Sequence, residues 1–132
     1  MPIKLYSDLG GKWPTGIVRC PFDSCNTRII ALTPQLASTE VLLENAPSMA
    51  AQGKSFLQVN DVWDFDNVGV SRTAPDLEKS EAVGQLSKVE RLLICGECDK
   101  GPIGFAGYVN AQDSDVKNLR YYLSCDTVKY DV

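Results

Sequence analysis

The chain contains no histidine. That absence removes the commonest general base at neutral pH and the commonest nitrogen ligand for metals. No apolar run approaches the 18 or more residues that cross a bilayer, which excludes membrane insertion. The start, Met1-Pro2-Ile3-Lys4-Leu5, carries no apolar signal region, and no Asn-x-Ser/Thr sequon occurs. Positive charge is in deficit: 13 Lys and Arg face 17 Asp and Glu, a net charge of -4. Nucleic-acid binding requires a basic face to neutralise phosphate, so that class is excluded. There is no glycine-rich phosphate loop. The five cysteines are odd in number, which argues against a secreted disulfide framework. These absences predict a cytoplasmic protein with reduced thiols, and 132 residues predict one domain spanning 1–132.

What is present centres on two cysteine pairs. Cys95-Gly96-Glu97-Cys98 is followed by Asp-Lys-Gly-Pro, and Cys20-Pro21-Phe22-Asp23-Ser24-Cys25 lies upstream. Two cysteines in a tight turn can aim both sulfurs at one ion, and two such turns complete a tetrahedral site. Four thiolates leave no position open for water, so the pattern points to one structural zinc rather than a catalytic one. Cys25 and Cys95 are 70 residues apart, and closing that loop costs roughly 4 kcal/mol of chain entropy. A structural zinc site offers an apparent ~10–16 kcal/mol at neutral pH, which outweighs it. Ordinary buried thiols or disulfides are the bland alternatives. A redox Cys-x-x-Cys should open a helix, and Asp99-Lys100-Gly101-Pro102 does not suit one. Cys125 stands apart, and with Tyr121 and Leu123 on its strand face it reads as a core thiol.

The remaining chain reads as mainly β. Residues 1–16 are punctuated by Gly and Pro and predict a loose or edge-packed start, with Trp13 as its anchor. Thr27–Leu32 is β-branched and ends before Pro34. Val41-Leu42-Leu43 fits either a buried strand or a helical turn. Leu57, Val59, Trp63 and Phe65 alternate with polar residues and predict one half-buried strand bent at Asn60-Asp61. Residues 73–88 are polar and charged and are expected to form a flexible loop, with room for a helical turn over Leu77–Ala82. Val89–Ile94 runs as a strand into Cys95. Ile103, Phe105, Gly107 and Val109 are expected to share a face of the next strand, and Leu119, Tyr121, Leu123 and Cys125 a face of the one after. The zinc would thus clamp an N-terminal turn to a C-terminal β-meander.

Asp61-Val62-Trp63-Asp64-Phe65-Asp66-Asn67 interleaves two aromatics with three acids. Taken alone it reads first as a core strand with a solvated acidic face. If it lies beside Glu97 and Asp99, the two together make a negative patch next to aromatics, a composition found at interfaces.

The stretch 59–70 and the stretch 93–104, with Asp66-Asn67-Val68-Gly69 and then Cys-x-x-Cys-x-x-Gly-Pro-Ile-Gly, resemble the two signature blocks of a Rab-binding family, that of the mammalian suppressor of yeast sec-four and its fungal relatives. Members of that family are small zinc proteins that bind secretory Rab GTPases and promote guanine-nucleotide release. The resemblance implies coiled β-sheets with Cys20, Cys25, Cys95 and Cys98 as zinc ligands. It also implies a Rab-binding face beside the zinc, drawn from Trp63, Asp64, Phe65, Asp66 and Asn67 with Leu93, Glu97 and Asp99. The partner would be a Rab GTPase, preferentially nucleotide-free, engaged by a monomer that exchanges nucleotide or chaperones the empty GTPase without covalent chemistry. Two features depart from the pattern: the four-residue gap between Cys20 and Cys25, where some members have two, and the long 73–88 segment.

Two readings from other classes remain. One is a zinc-clamped redox enzyme of the methionine sulfoxide reductase type, with Cys125 as nucleophile. The other is a zinc-ribbon adaptor for an unrelated protein.

Overall fold

The computed structural model describes residues 3–22, 25–44, 46–47, 49–71, 83, 86–110, 112–113 and 115–132. The expectation for 73–88, including the turn at 77–82, falls almost entirely outside them.

Among the described residues, ten strands form two antiparallel sheets. They are β1 (Ile3–Lys4), β2 (Gly16–Arg19), β3 (Arg28–Leu32), β4 (Val41–Leu42), β5 (Ser55–Val59), β6 (Val68–Val70), β7 (Lys88–Cys95), β8 (Gly104–Tyr108), β9 (Arg120–Ser124) and β10 (Lys129–Asp131). The first sheet runs β1-β10-β2-β3 and the second β4-β5-β9-β8-β7-β6. The second contains the expected meander, β7-β8-β9. No described helix is long and apolar enough to cross a membrane.

Val41-Leu42-Leu43 resolves as strand at Val41–Leu42, with Leu42 exposed on a sheet edge rather than buried, and a helical turn falls earlier in the chain. Thr33 caps a single helical turn, α1 (Pro34–Ala37), its hydroxyl accepting from the Leu36 amide at 3.1 Å. A proline at the first helical position loses nothing there, since that amide has no intrahelical partner. The chain then re-extends as β4 on the edge of the second sheet.

The main core lies between the sheets. Val18, Ile30, Leu32 and Tyr130 from the first meet Leu57, Leu93, Tyr121 and Leu123 from the second. Leu119, Tyr121, Leu123 and Cys125 all enter this layer, as their spacing predicts. A second, smaller core covers the outer face of the six-stranded sheet, where Leu43, Val83 and Leu86 pack on Phe56, Phe105 and Tyr122. Phe105 stacks on Tyr122 at 5.3 Å and meets Phe56 edge-on at 5.4 Å. Fully burying each such side chain contributes about 1.5–3 kcal/mol. Because both faces of β8 are covered, every residue from Gly104 to Tyr108 is buried. Ile103 belongs to the inter-sheet core with Ala106 and Tyr108, while Phe105 lies in the other layer and Val109 is exposed. The shared face expected for Ile103, Phe105 and Val109 is therefore corrected: two-sided burial removes the alternation that would mark the phase.

The N-terminal segment packs at the edge. β1 pairs with β10, and Trp13 meets Tyr6 at 5.7 Å and Tyr130 at 5.8 Å. Glu40 fastens it to the second sheet by accepting from Trp13 Nε1 at 2.9 Å, Ser55 Oγ at 2.5 Å and the Tyr6 hydroxyl.

Candidate metal centre and the adjoining ridge

Cys20 and Cys25 lie at the tip of the β2–β3 hairpin, and Cys95 and Cys98 at the turn from β7 towards β8. Each turn is closed by its own backbone. Cys20 donates its amide to the Thr27 carbonyl at 2.9 Å, Cys25 to that of Phe22 at 3.0 Å. In the second turn the Asp99 amide reaches the Cys95 carbonyl at 3.0 Å, the Cys95 amide reaches the Lys100 carbonyl at 3.0 Å, and the Glu97 amide points at the Cys95 sulfur at 3.4 Å. Asp99 takes the left-handed conformation, φ 60°, which a short polar side chain tolerates.

The four sulfurs all lie within 4.8 Å of one another. Cys20 and Cys98 are 3.7 Å apart, Cys25 and Cys95 3.8 Å. Four thiolates around a tetrahedral ion with bonds of about 2.3 Å stand about 3.8 Å apart, whereas a disulfide would need about 2.05 Å. The cluster therefore fits a metal ion and is not a pair of disulfides; all five cysteines are free thiols. It also joins the two sheets, since each contributes one pair. Burial pushes the Cys20 and Cys95 thiols up, whereas the Thr27 hydroxyl, 3.0 Å from the Cys25 sulfur, pulls that thiol down to about 7. A bound cation would supply the charge that holds all four as thiolates. The turn leads into a strand and not a helix, which leaves the redox Cys-x-x-Cys without its usual setting.

The acidic-aromatic stretch is not one bent strand. Asp61 stops β5 by accepting the Trp63 amide on its side chain at 2.9 Å, and Val62–Asp64 forms a 3₁₀ turn. The turn breaks the two-residue period. Phe65 is thereby buried against Tyr121, 6.0 Å between ring centres, while Trp63 is 88% exposed. The expectation that both rings share a face is corrected accordingly.

This stretch lies against both metal turns. The Asp66 amide donates to the Ile29 carbonyl at 2.7 Å, and the Asp66 carboxylate pairs with Arg28 at 2.6 Å, just beyond the first hairpin. Val68 pairs with Cys95 across β6 and β7, and the Asn67 side chain sits against Gly96. The neighbourhood required for a shared acidic patch is therefore present. Asp64, Glu97 and Asp99 are exposed, while the charge on Asp66 is offset by Arg28. Leu93, expected at this face, is fully buried. Like Phe65, it can support the surface but not touch a partner. Sequence reasoning missed Thr27 and Arg28. Their positions two and three residues after Cys25 were the only available signal, and an ion pair across 38 residues has no local signature.

Cys125 is fully buried, and desolvation pushes its thiol up to about 12. A nucleophilic cysteine must be an accessible thiolate, so the redox-enzyme reading loses its central residue.

A family model described as "Mss4 protein" matches residues 17–130. The chain is also similar to Protein DSS4 of Saccharomyces cerevisiae, 38% identical over 128 residues, covering 80% of this chain and 90% of that one.

Proposed function

The chain belongs to the Mss4 family of Rab-related exchange factors and chaperones, and on that premise we propose that it binds secretory Rab GTPases, holds them best when nucleotide-free and promotes GDP release. It acts as a single domain and a monomer in the cytoplasm, in vesicular transport and exocytosis, with no covalent chemistry of its own. Cys20, Cys25, Cys95 and Cys98 hold one structural zinc, which when bound supplies a rigid four-way joint between the sheets.

The observation that carries this reading is the Trp63 ridge. A tryptophan left 88% exposed, flanked by Asp64 and carried on the same stretch as Asn67 and Val68, which meet the turn that bears Glu97 and Asp99, has the make-up of an interface anchor. Trp63 supplies the apolar contact to the GTPase. Asp64, Glu97 and Asp99 engage basic residues or compete for the region that holds phosphate and its metal. Asp66 and Asn67 fix the ridge to the two metal turns, and Phe65 and Leu93 support it from below.

The mechanism is differential binding. A protein that holds the empty GTPase more tightly than the loaded one must, by linkage, weaken nucleotide affinity by the same factor. The test is release of a fluorescent GDP from purified secretory Rabs. Acceleration that rises with concentration of this chain supports exchange, and no acceleration by any Rab in the panel rejects it.

A further inference from the structure

The four cysteines of the metal centre differ in their surroundings. Cys20 and Cys95 are buried, whereas Cys25 and Cys98 are half-exposed. Across the sheets each half-exposed sulfur meets a buried one: Cys98 lies 3.7 Å from Cys20, and Cys25 lies 3.8 Å from Cys95. A reagent arriving from solvent can therefore reach two of the four sulfurs, and each of those two has a second sulfur behind it.

Hydrogen bonding separates the two accessible sulfurs. The Thr27 hydroxyl sits 3.0 Å from the Cys25 sulfur. Among the described residues no amide or hydroxyl makes a hydrogen bond to the Cys98 sulfur, whose contact is with Cys20. With a cation in the centre all four are thiolates, so the fraction ionised does not distinguish them. Nucleophilicity does, and it falls as the charge on a thiolate is stabilised. Thr27 damps Cys25 in this way and leaves Cys98 the more reactive of the two.

We infer that Cys98 is a modification site, the first sulfur of the centre to be attacked by peroxides, with the buried Cys20 as its resolving partner. The Cys98 sulfur attacks one oxygen of hydrogen peroxide. An S–O bond forms, the O–O bond breaks, and the departing hydroxide takes a proton from solvent to become water. Cys98 is thereby oxidised by two electrons to a sulfenic acid, and the peroxide is reduced. The Cys20 thiolate then attacks the Cys98 sulfur. An S–S bond forms, the S–O bond breaks, and the second hydroxide is protonated to a second water. The two sulfurs close from 3.7 Å to about 2.05 Å in the process. Cys25 and Cys95 alone then remain as ligands, half of the set that a structural site requires, so the metal is released. A covalent bond between the sheets takes the place of the metal joint. This inference rests on the structural-zinc reading above and is independent of the Rab one.

The experiment treats the full, zinc-loaded chain with one equivalent of hydrogen peroxide, blocks the remaining thiols and maps disulfides by mass spectrometry. Proteolysis after Asp23 and Glu97 separates all four cysteines into different peptides. The expected first product is the Cys20–Cys98 disulfide, with zinc appearing in solution in step with it and the far-ultraviolet circular dichroism retained. A first disulfide at Cys25–Cys95, or within the Cys95–Cys98 turn, overturns the inference. So does zinc that stays bound after oxidation. Thr27→Val supplies a second arm. With the hydroxyl gone, Cys25 should react alongside Cys98, and the Cys25–Cys95 disulfide should become a comparable share of the product. An unchanged map in Thr27→Val overturns the selection of Cys98 by hydrogen bonding. A folded chain that holds no zinc before peroxide is added fails the zinc reading, and this inference fails with it.

Discussion

Asn67 closes over Gly96 so tightly that a Cβ at Gly96 would fall 2.1 Å from the Asn67 Oδ1. This contact joins the acidic ridge to the metal turn. Its obstacle is the end of a side chain, which can swing aside. At Gly104 a Cβ would instead meet the Tyr122 carbonyl at 2.2 Å, backbone held in the β8–β9 ladder. Gly104→Ala is therefore expected to cost about 2 kcal/mol or more and Gly96→Ala under about 1 kcal/mol. Urea unfolding of the two variants measures the difference. Comparable losses would mean that the Asn67 side chain is as fixed as a strand backbone.

Trp63 and Phe65 are two residues apart and face opposite environments. Trp63→Ala should leave stability within about 0.5 kcal/mol while lowering Rab affinity tenfold or more. Phe65→Ala should cost about 3 kcal/mol, since it empties a site against Tyr121. Denaturation and GDP-release assays on both variants check this. A destabilised Trp63→Ala would show that the ring packs on the protein in solution.

The cysteines divide four to one. Mass spectrometry of the protein in reducing buffer should find one zinc per chain. Cys20→Ser and Cys98→Ser should each lose it and unfold at lower temperature, whereas Cys125→Ala should keep both zinc and Rab binding. Loss of Rab binding in Cys125→Ala with folding intact would reopen a role for that thiol.

Burial tends to raise the Glu40 carboxyl, but hydrogen bonds from Ser55, Tyr6 and Trp13 outweigh it and hold the group below its usual value. A depressed folded pKa contributes stability above the unfolded value and loses it as pH falls through the folded one. The window therefore opens near the ordinary glutamate value of about 4.3 and extends downward. Glu40 is exposed, so the effect is under about 1 kcal/mol and local to the N-terminal segment. With Trp63→Phe in place, Trp13 is the sole tryptophan. Its fluorescence should change on acidification through that window, and Glu40→Gln should abolish the step. A step unaffected by Glu40→Gln would assign the acid response to another carboxylate.

The four-cysteine cluster was legible because two short spacings encode it, and the β7–β9 meander because short apolar, β-branched and aromatic runs are separated there by turn residues. The ridge was not. Alternation from Leu57 to Phe65 reads as one strand, and only the Asp61 cap, a tertiary choice between extended and turned backbone, sends Trp63 outward. The second core was hidden for a related reason: residues Gly104–Tyr108 are buried on both faces and show no period. β10 was missed because Lys129-Tyr130-Asp131 carries two charges. One of them is answered by Arg19, 112 residues away, at 2.8 Å.

The position of β10 between β1 and β2 has a consequence for the order in which the molecule can be completed. β2 lacks its inner neighbour until residues 129–131 have been made. The metal hairpin on β2 likewise has only two of four sulfurs until Cys95 and Cys98 appear. At about 5–20 residues per second, the 70 residues from Cys25 to Cys95 take roughly four to fourteen seconds to synthesise. Through that interval Cys20 and Cys25 are unprotected thiols on a nascent chain. The first sheet is therefore a late product of translation, and the earliest cysteines made are the longest exposed to oxidation or to the wrong metal.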